Sequence, residues 1–250
     1  VVARKHPKKD TAADLMIDEF ESAADRLAGW IAAHAALVIA VVVASLAAAG
    51  GYSAWDSWRG GRERDASNAL DAVNSEYLEA MGAPPGAWEL PELANPEAAK
   101  RINAEYAERF RSVAEEYRGT VAARLARLKL GDLLVARGDT AAAIESWRAG
   151  AEAAPANSGL RAILLERIAP AEEDAGRWVE AARIHEEAGA IAAFPLRYWS
   201  LAEAARCYAA AGETGRALAL YQRVEAEAPA LRLPAGMRLQ RRELRAEAAS

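Results

Sequence analysis

The sequence is poor in the residues that most chemistry needs. It has one cysteine, Cys207, three histidines (His6, His34 and His185), and aromatic residues at only 7%. A single cysteine excludes an internal disulfide framework and a site built from several thiolates. The histidines stand far apart along the chain, and His185-Glu186-Glu187 lacks the second histidine of a zinc-protease helix. No metal site and no cofactor are therefore expected. There is no Walker-type phosphate loop and no glycine-rich dinucleotide fingerprint following a strand. Positive charge is not in excess: the net charge is −5, which argues against a nucleic-acid binder with a clustered basic face. Strand formers are scarce too, because outside Val38–Val43 there is almost no run of Val, Ile or Thr. Carboxylate pairs such as Glu172-Glu173 and Glu186-Glu187 read as solvated helix faces, and Cys207, inside an apolar stretch, reads as a buried thiol. The chain is not expected to be an enzyme.

What is abundant is alanine, the best helix former, so the fold class expected is all-α. One apolar run stands out. Residues 27–55 contain no Lys, Arg, Asp or Glu, and Ile31–Ala49 is interrupted only by His34 and Ser45. About 20 such residues cross the hydrocarbon core as a helix. Its Val, Leu and Ile residues at 31, 37, 38, 39, 41, 42, 43 and 46 favour insertion by roughly −2 to −5 kcal/mol in total. Trp30 on one side and Tyr52, Trp55 and Trp58 on the other take the places of interfacial aromatic belts, and His34 lies near enough to the end to reach headgroups. Residues 30–58 are thus expected to form one transmembrane helix. Two other readings stay open: cleavage after Ala47-Ala48-Ala49, opposed by six acids in the preceding stretch, and a buried core helix. Five basic residues before the span (Arg4, Lys5, Lys8, Lys9, Arg26) against three after it (Arg59, Arg62, Arg64) favour the tail inside. Counting only the nearest residues narrows that margin, so charge alone leaves orientation open. The tail, residues 1–29, carries Met16, Phe20, Ala23, Leu27 and Trp30 at spacings of three and four, which predicts an amphipathic lead-in helix.

Beyond the span, Gly60-Gly61 offers a hinge. Ala66, Leu70, Val73, Tyr77 and Met81 then mark one face of a helix. Prolines 84, 85, 91 and 96 mark a loop, and Asn95-Pro96-Glu97 restarts a helix bearing Ile102, Tyr106, Phe110, Val113 and Tyr117. From there the chain repeats itself. Gly138, Ala143, Trp147 and Pro155 recur as Gly212, Ala217, Tyr221 and Pro229 at the same internal spacings of 5, 4 and 8. A weaker copy, Gly176, Trp178, Ala181, His185 and Ala188, lies between them, with Gly-to-Gly steps of 38 and 36. Small residues Gly131, Ala169 and Ala205 would let helices approach closely. Gly138, Gly176 and Gly212 would end the first helix of each pair. Pro170 predicts a kink in the middle copy, and Trp147 and Trp178 take core positions. An Arg- and Glu-rich final helix over Pro234–Ala249 suits a cap.

This pattern resembles the tetratricopeptide repeat, a helix-turn-helix unit with Leu-Gly and Tyr in its first helix, then Ala, an aromatic and Pro. Residues 62–250 are accordingly expected to form a tetratricopeptide-like repeat solenoid. One span placed directly before such repeats, with Gly50-Gly51-Tyr52 through Trp58, Phe110–Tyr117, Ala122–Asp132 and Gly138-Asp139, resembles the family of the ancillary subunit of the SecYEG translocon. The resemblance implies a bacterial inner-membrane protein with a periplasmic repeat domain. Its partners would be proteins: translocon subunits, periplasmic chaperones or exported clients. The repeat pattern turns Leu125, Leu128, Asp132, Trp199, Ala202, Arg206 and Ala209 toward a groove where partner segments would lie. The Lys/Asn clamp by which some relatives read a C-terminal carboxylate is not evident. A structural adaptor or assembly scaffold of another envelope complex needs the same groove and is the alternative.

Overall fold

The computed structural model describes residues 26–84 and 95–248. Residues 12–25 of the lead-in predicted over 12–30, and the proline-rich stretch 85–94, lie outside the described residues. Among those described, every regular element is an α-helix and there is no strand. The chain divides into two compact units, Val1–Gly60 and Gly61–Ser250.

In the first unit, residues 26–33 are helical. The amide of His34 donates to the Trp30 carbonyl at 3.0 Å, and that of Val38 to the His34 carbonyl at 3.0 Å, leading into helix α1 (Ala35–Ala80). His34 Nδ1 also bonds the Trp30 carbonyl at 2.9 Å, and the two rings stack at 4.8 Å. Leu37, Ile39, Val41, Val42, Val43 and Leu46 are all exposed. Large apolar side chains left in the open along a helix this long match a span whose solvent is lipid, and α1 is long and apolar enough to cross a membrane. Gly60 and Gly61, the possible hinge, are helical and lie within α1.

In the second unit, the end of α1 pairs antiparallel with α2 (Pro96–Glu116). The contact is made by long side chains. Tyr77 packs on Tyr106 and Phe110 with ring centroids 5.3 and 6.3 Å apart, and its hydroxyl donates to Asn103 Oδ1 at 3.0 Å. Arg109 pairs with Glu76 at 2.5 Å, and Arg62 donates to the Glu116 carbonyl at 2.7 Å. Asn95 caps α2 by accepting the amides of Glu97 and Ala98, satisfying donors the helix cannot pair itself.

Three helix pairs follow: α3 (Val121–Ala136) with α4 (Thr140–Glu152), α5 (Gly159–Asp174) with α6 (Trp178–Ala190), and α7 (Arg197–Ala210) with α8 (Thr214–Glu227). Each packs on its sequence neighbours, as in a one-dimensional stack. The turns within pairs are copies of one another. Gly138, Gly176 and Gly212 have φ of 85°, 73° and 80°. Their amides return to Val135, Glu173 and Ala209, and the next amide in each case returns to Leu134, Glu172 and Tyr208 at 2.8 Å. That double bond pattern closes a helix with a left-handed residue, which glycine adopts without steric cost. Pro170 lies inside α5, and the helix runs on past it to Asp174.

Close approach within the first pair depends on Gly131. A Cβ built there would meet the Trp147 indole nitrogen at 2.2 Å. Trp147 is buried, and Nε1 donates to the Leu128 carbonyl at 3.1 Å. The aromatic position therefore fills the space over its own partner helix. Helix α9 (Ala235–Glu247) closes the stack against α7 and α8, burying Met237 and Leu244. Tyr221 donates to Gln240 at 2.9 Å, and Arg241 and Arg245 both pair with Glu225. The apolar core forms two clusters, one from Val73 to Phe194 and one from Ala181 to Leu244, which meet along α6.

Candidate functional site: a repeat face over a polar seam

Counting back from the turn glycines aligns four rows across α3, α5 and α7. Thirteen residues before each glycine stand Leu125, Ile163 and Trp199; ten before, Leu128, Glu166 and Ala202; six before, Asp132, Pro170 and Arg206; three before, Val135, Glu173 and Ala209. Intervals of three and four keep these rows on one face of each helix. Leu125 and Ile163 are 37% and 42% exposed and Trp199 is half-buried, so the first row presents apolar surface. Leu128, Arg206 and Ala209 are also half-buried, and Val135 is exposed. Ala202 is a correction. It is fully buried in the second apolar cluster and offers a partner no surface, because its small side chain sits at a close helix contact.

Ion pairs link the first helices. Asp132 on α3 meets Arg167 on α5 at 3.3 Å, and Glu173 on α5 meets Arg206 on α7 at 2.5 Å. Burial pushes the Asp132 carboxyl up, against the pull of Arg167 and Lys129. At Glu173, burial is the largest single effect and works upward, yet Arg206, Cys207 and His185 together outweigh it and the carboxyl sits below its ordinary range. Glu203 holds the other side of Arg206 at 2.6 Å.

Below this face the structure gathers what the sequence leaves scattered. His185, at the position of Trp147 and Tyr221, places Nδ1 at 3.0 Å from Glu166 and Nε2 at 3.2 Å from Glu173. Burial disfavours its charge, but the two carboxylates prevail and its pKa is raised. Cys207 from α7 lies beside Glu173, fully buried, and burial pushes its thiol up to about 12. Glu172 pairs with Arg177 and, at 3.7 Å, with Arg148, while its own side chain is nearly buried. Glu172 and Glu173 thus depart from a solvated face, whereas Glu186 and Glu187 are exposed as expected, Glu186 accepting from Tyr208 at 3.1 Å and Glu187 from Arg161 at 2.5 Å. The expectation that no metal-type ligands cluster also needs correction, since Glu173, His185 and Cys207 converge. Spacings of 12 and 22 residues become contacts only through helix pairing. The signal that marks Ile163, Glu166 and Glu173 as members of the rows is their offset from Gly176, the same as that of their counterparts from Gly138 and Gly212.

A family model described as a tetratricopeptide repeat-like domain matches residues 29–232. The chain belongs to this family. Its repeat fold is that of a protein–protein interaction module, in a family that is typically non-catalytic. Two solved structures of nearly identical TPR-like repeats from a Podosopora anserina protein of kinesin light chain type are also similar. One is 22% identical with a TM-score of 0.46, covering 60% of this chain and 82% of its own. The other is 23% identical with a TM-score of 0.44, covering 62% and 87%. Comparison with curated proteins finds no match.

Proposed function

We propose that this protein is a membrane-anchored, non-enzymatic interaction subunit of the bacterial inner membrane, serving the translocon and periplasmic chaperone network. Residues 1–29 form the tail, 30–58 the span and 62–250 the repeat domain, which faces the periplasm. The observation that carries the reading is the row Leu125, Ile163 and Trp199, apolar surface at equivalent positions on three successive first helices. Apolar anchors spaced along stacked helices suit an extended or helical segment of a partner, and the flanking pairs Asp132–Arg167 and Glu173–Arg206 supply polar contacts beside it. Leu128 and Ala209 complete the partly open surface. Support for the translocon setting comes from the order of features, a single candidate span directly before short repeats.

A photo-crosslinking amino acid at position 163 in growing cells tests this. Adducts with translocon subunits and newly exported chains are expected, and Trp199→Glu should reduce them while leaving the melting temperature unchanged. A single fixed envelope protein as the sole adduct would replace this reading with that of an assembly scaffold.

A further inference from the structure

Beneath the interaction face, three side chains from three successive helices aim at one point. They are Glu173 at the end of α5, His185 in α6 and Cys207 in α7, and their candidate ligand atoms all lie within 4.8 Å of one another. Donor atoms that share a tetrahedral ion at about 2.0–2.3 Å stand roughly 3.3–3.7 Å apart. The Nε2 to Oε1 distance of 3.2 Å is near that edge length, and the Cys207 sulfur lies within 4.8 Å of both atoms.

The atoms facing away from this point are each held by a neighbour. His185 Nδ1 bonds Glu166 at 3.0 Å, which fixes the ring with Nε2 pointing inward. Glu173 Oε2 accepts from Arg206 at 2.5 Å, leaving Oε1 inward, and Glu203 fixes Arg206 in turn. Ligands oriented by outer hydrogen bonds are how metal sites in proteins are built, and a carboxylate on the far nitrogen of a histidine is one recurrent form. Thiolate, imidazole and carboxylate together suit a borderline ion such as zinc. The three side chains also come from both sides of a repeat boundary, since α5 and α6 form one helix pair and α7 opens the next.

We propose that Glu173, His185 and Cys207 form a three-ligand site for a zinc-class divalent ion that staples the second repeat to the third. Loading involves no redox change. With a carboxylate at each ring nitrogen, both nitrogens donate in the metal-free state. The ion enters as a dication, the Nε2 proton and the Cys207 thiol proton leave to solvent, and the local charge is unchanged.

The test uses the full chain in detergent, stripped by chelator and titrated with cobalt(II). Expected are saturation at one equivalent, a thiolate-to-cobalt charge-transfer band in the near ultraviolet, and a raised unfolding temperature. Cys207→Ser should abolish the band while the helical circular dichroism persists. Glu166→Gln, which keeps all three ligands, should weaken cobalt binding about 10–100-fold. X-ray absorption on zinc-loaded wild-type protein, which needs no variant to fold, should show one sulfur among nitrogen and oxygen neighbours. Absence of the charge-transfer band, its survival in Cys207→Ser, or a shell without sulfur would overturn the proposal and leave an ion-pair network only.

Discussion

At the scale of single residues, the two kinds of glycine in this chain do different work. Gly131 is needed for space, since an added methyl would overlap the Trp147 indole at 2.2–2.6 Å. Gly212 is needed for its φ of 80° and has open space around it. Gly131→Ala should therefore lower stability by about 1–3 kcal/mol through overpacking. Gly212→Ala should cost about 1–2 kcal/mol through backbone strain. The mechanisms separate in a double-mutant cycle by urea unfolding: Trp147→Leu should relieve the first loss and leave the second untouched. Alanine at the helix contact is as restrictive. Ala217 is fully buried, so Ala217→Arg places an unpaired charge in the core and should cost about 3–5 kcal/mol. Glu213, exposed and 3.8 Å from Arg216, should tolerate Arg within about 0.5 kcal/mol. Equal urea midpoints for the two variants would contradict the repeat alignment. These positions were legible beforehand because each carries a local constraint: φ, size or apolar periodicity.

At the scale of elements, the stack needs an end. Helix α9 covers the outer side of α7 and α8 with Met237 and Leu244, and its other faces carry Arg238, Arg242 and Glu243. Burying two such apolar side chains is worth roughly 3–6 kcal/mol. Deleting residues 234–250 should lower the urea midpoint of the full chain and cause self-association visible by sedimentation, because the exposed face around Tyr221 and Val224 is itself a stacking surface. A variant as stable and as monodisperse as the parent would mean that α9 is not the cap. The boundaries of α9 were readable from Pro234 and the apolar spacing. That α5 continues past Pro170 was not. It extends to Asp174, with Ile168, Ala169 and Ala171 buried around the proline. Burial on both sides holds the helix together where the proline removes a backbone donor.

At the scale of the molecule, the candidate span leads into a repeat domain of the tetratricopeptide-like family. If residues 31–49 stay attached and residues 60–250 face the periplasm, protease added to spheroplasts should digest the repeat domain. Intact-mass measurement on membrane-extracted protein from untreated cells should then show the span retained. A mature N-terminus at Gly50 would mean an exported protein without an anchor. Protection of the domain until lysis would place it in the cytoplasm and remove the translocon reading. The motive is the excess of basic residues before the span together with the absence of charge from 27 to 55.

By itself the sequence determined the all-helical class, the apolar run, the three turns at Gly138, Gly176 and Gly212, and the packing faces marked by Val73, Tyr77 and Met81 and by Tyr106, Phe110 and Val113. All of these follow from forces acting over one or two turns of chain: helix propensity, periodic burial, and the freedom of glycine at positive φ. Only the tertiary structure decided that Gly60-Gly61 stays helical, that Ala202 is buried, and that Glu166, Glu173, His185, Arg206 and Cys207 form one network. Those outcomes turn on which side chains meet across α5, α6 and α7. That depends on the rotation and separation of packed helices, which residue spacing along one helix does not encode.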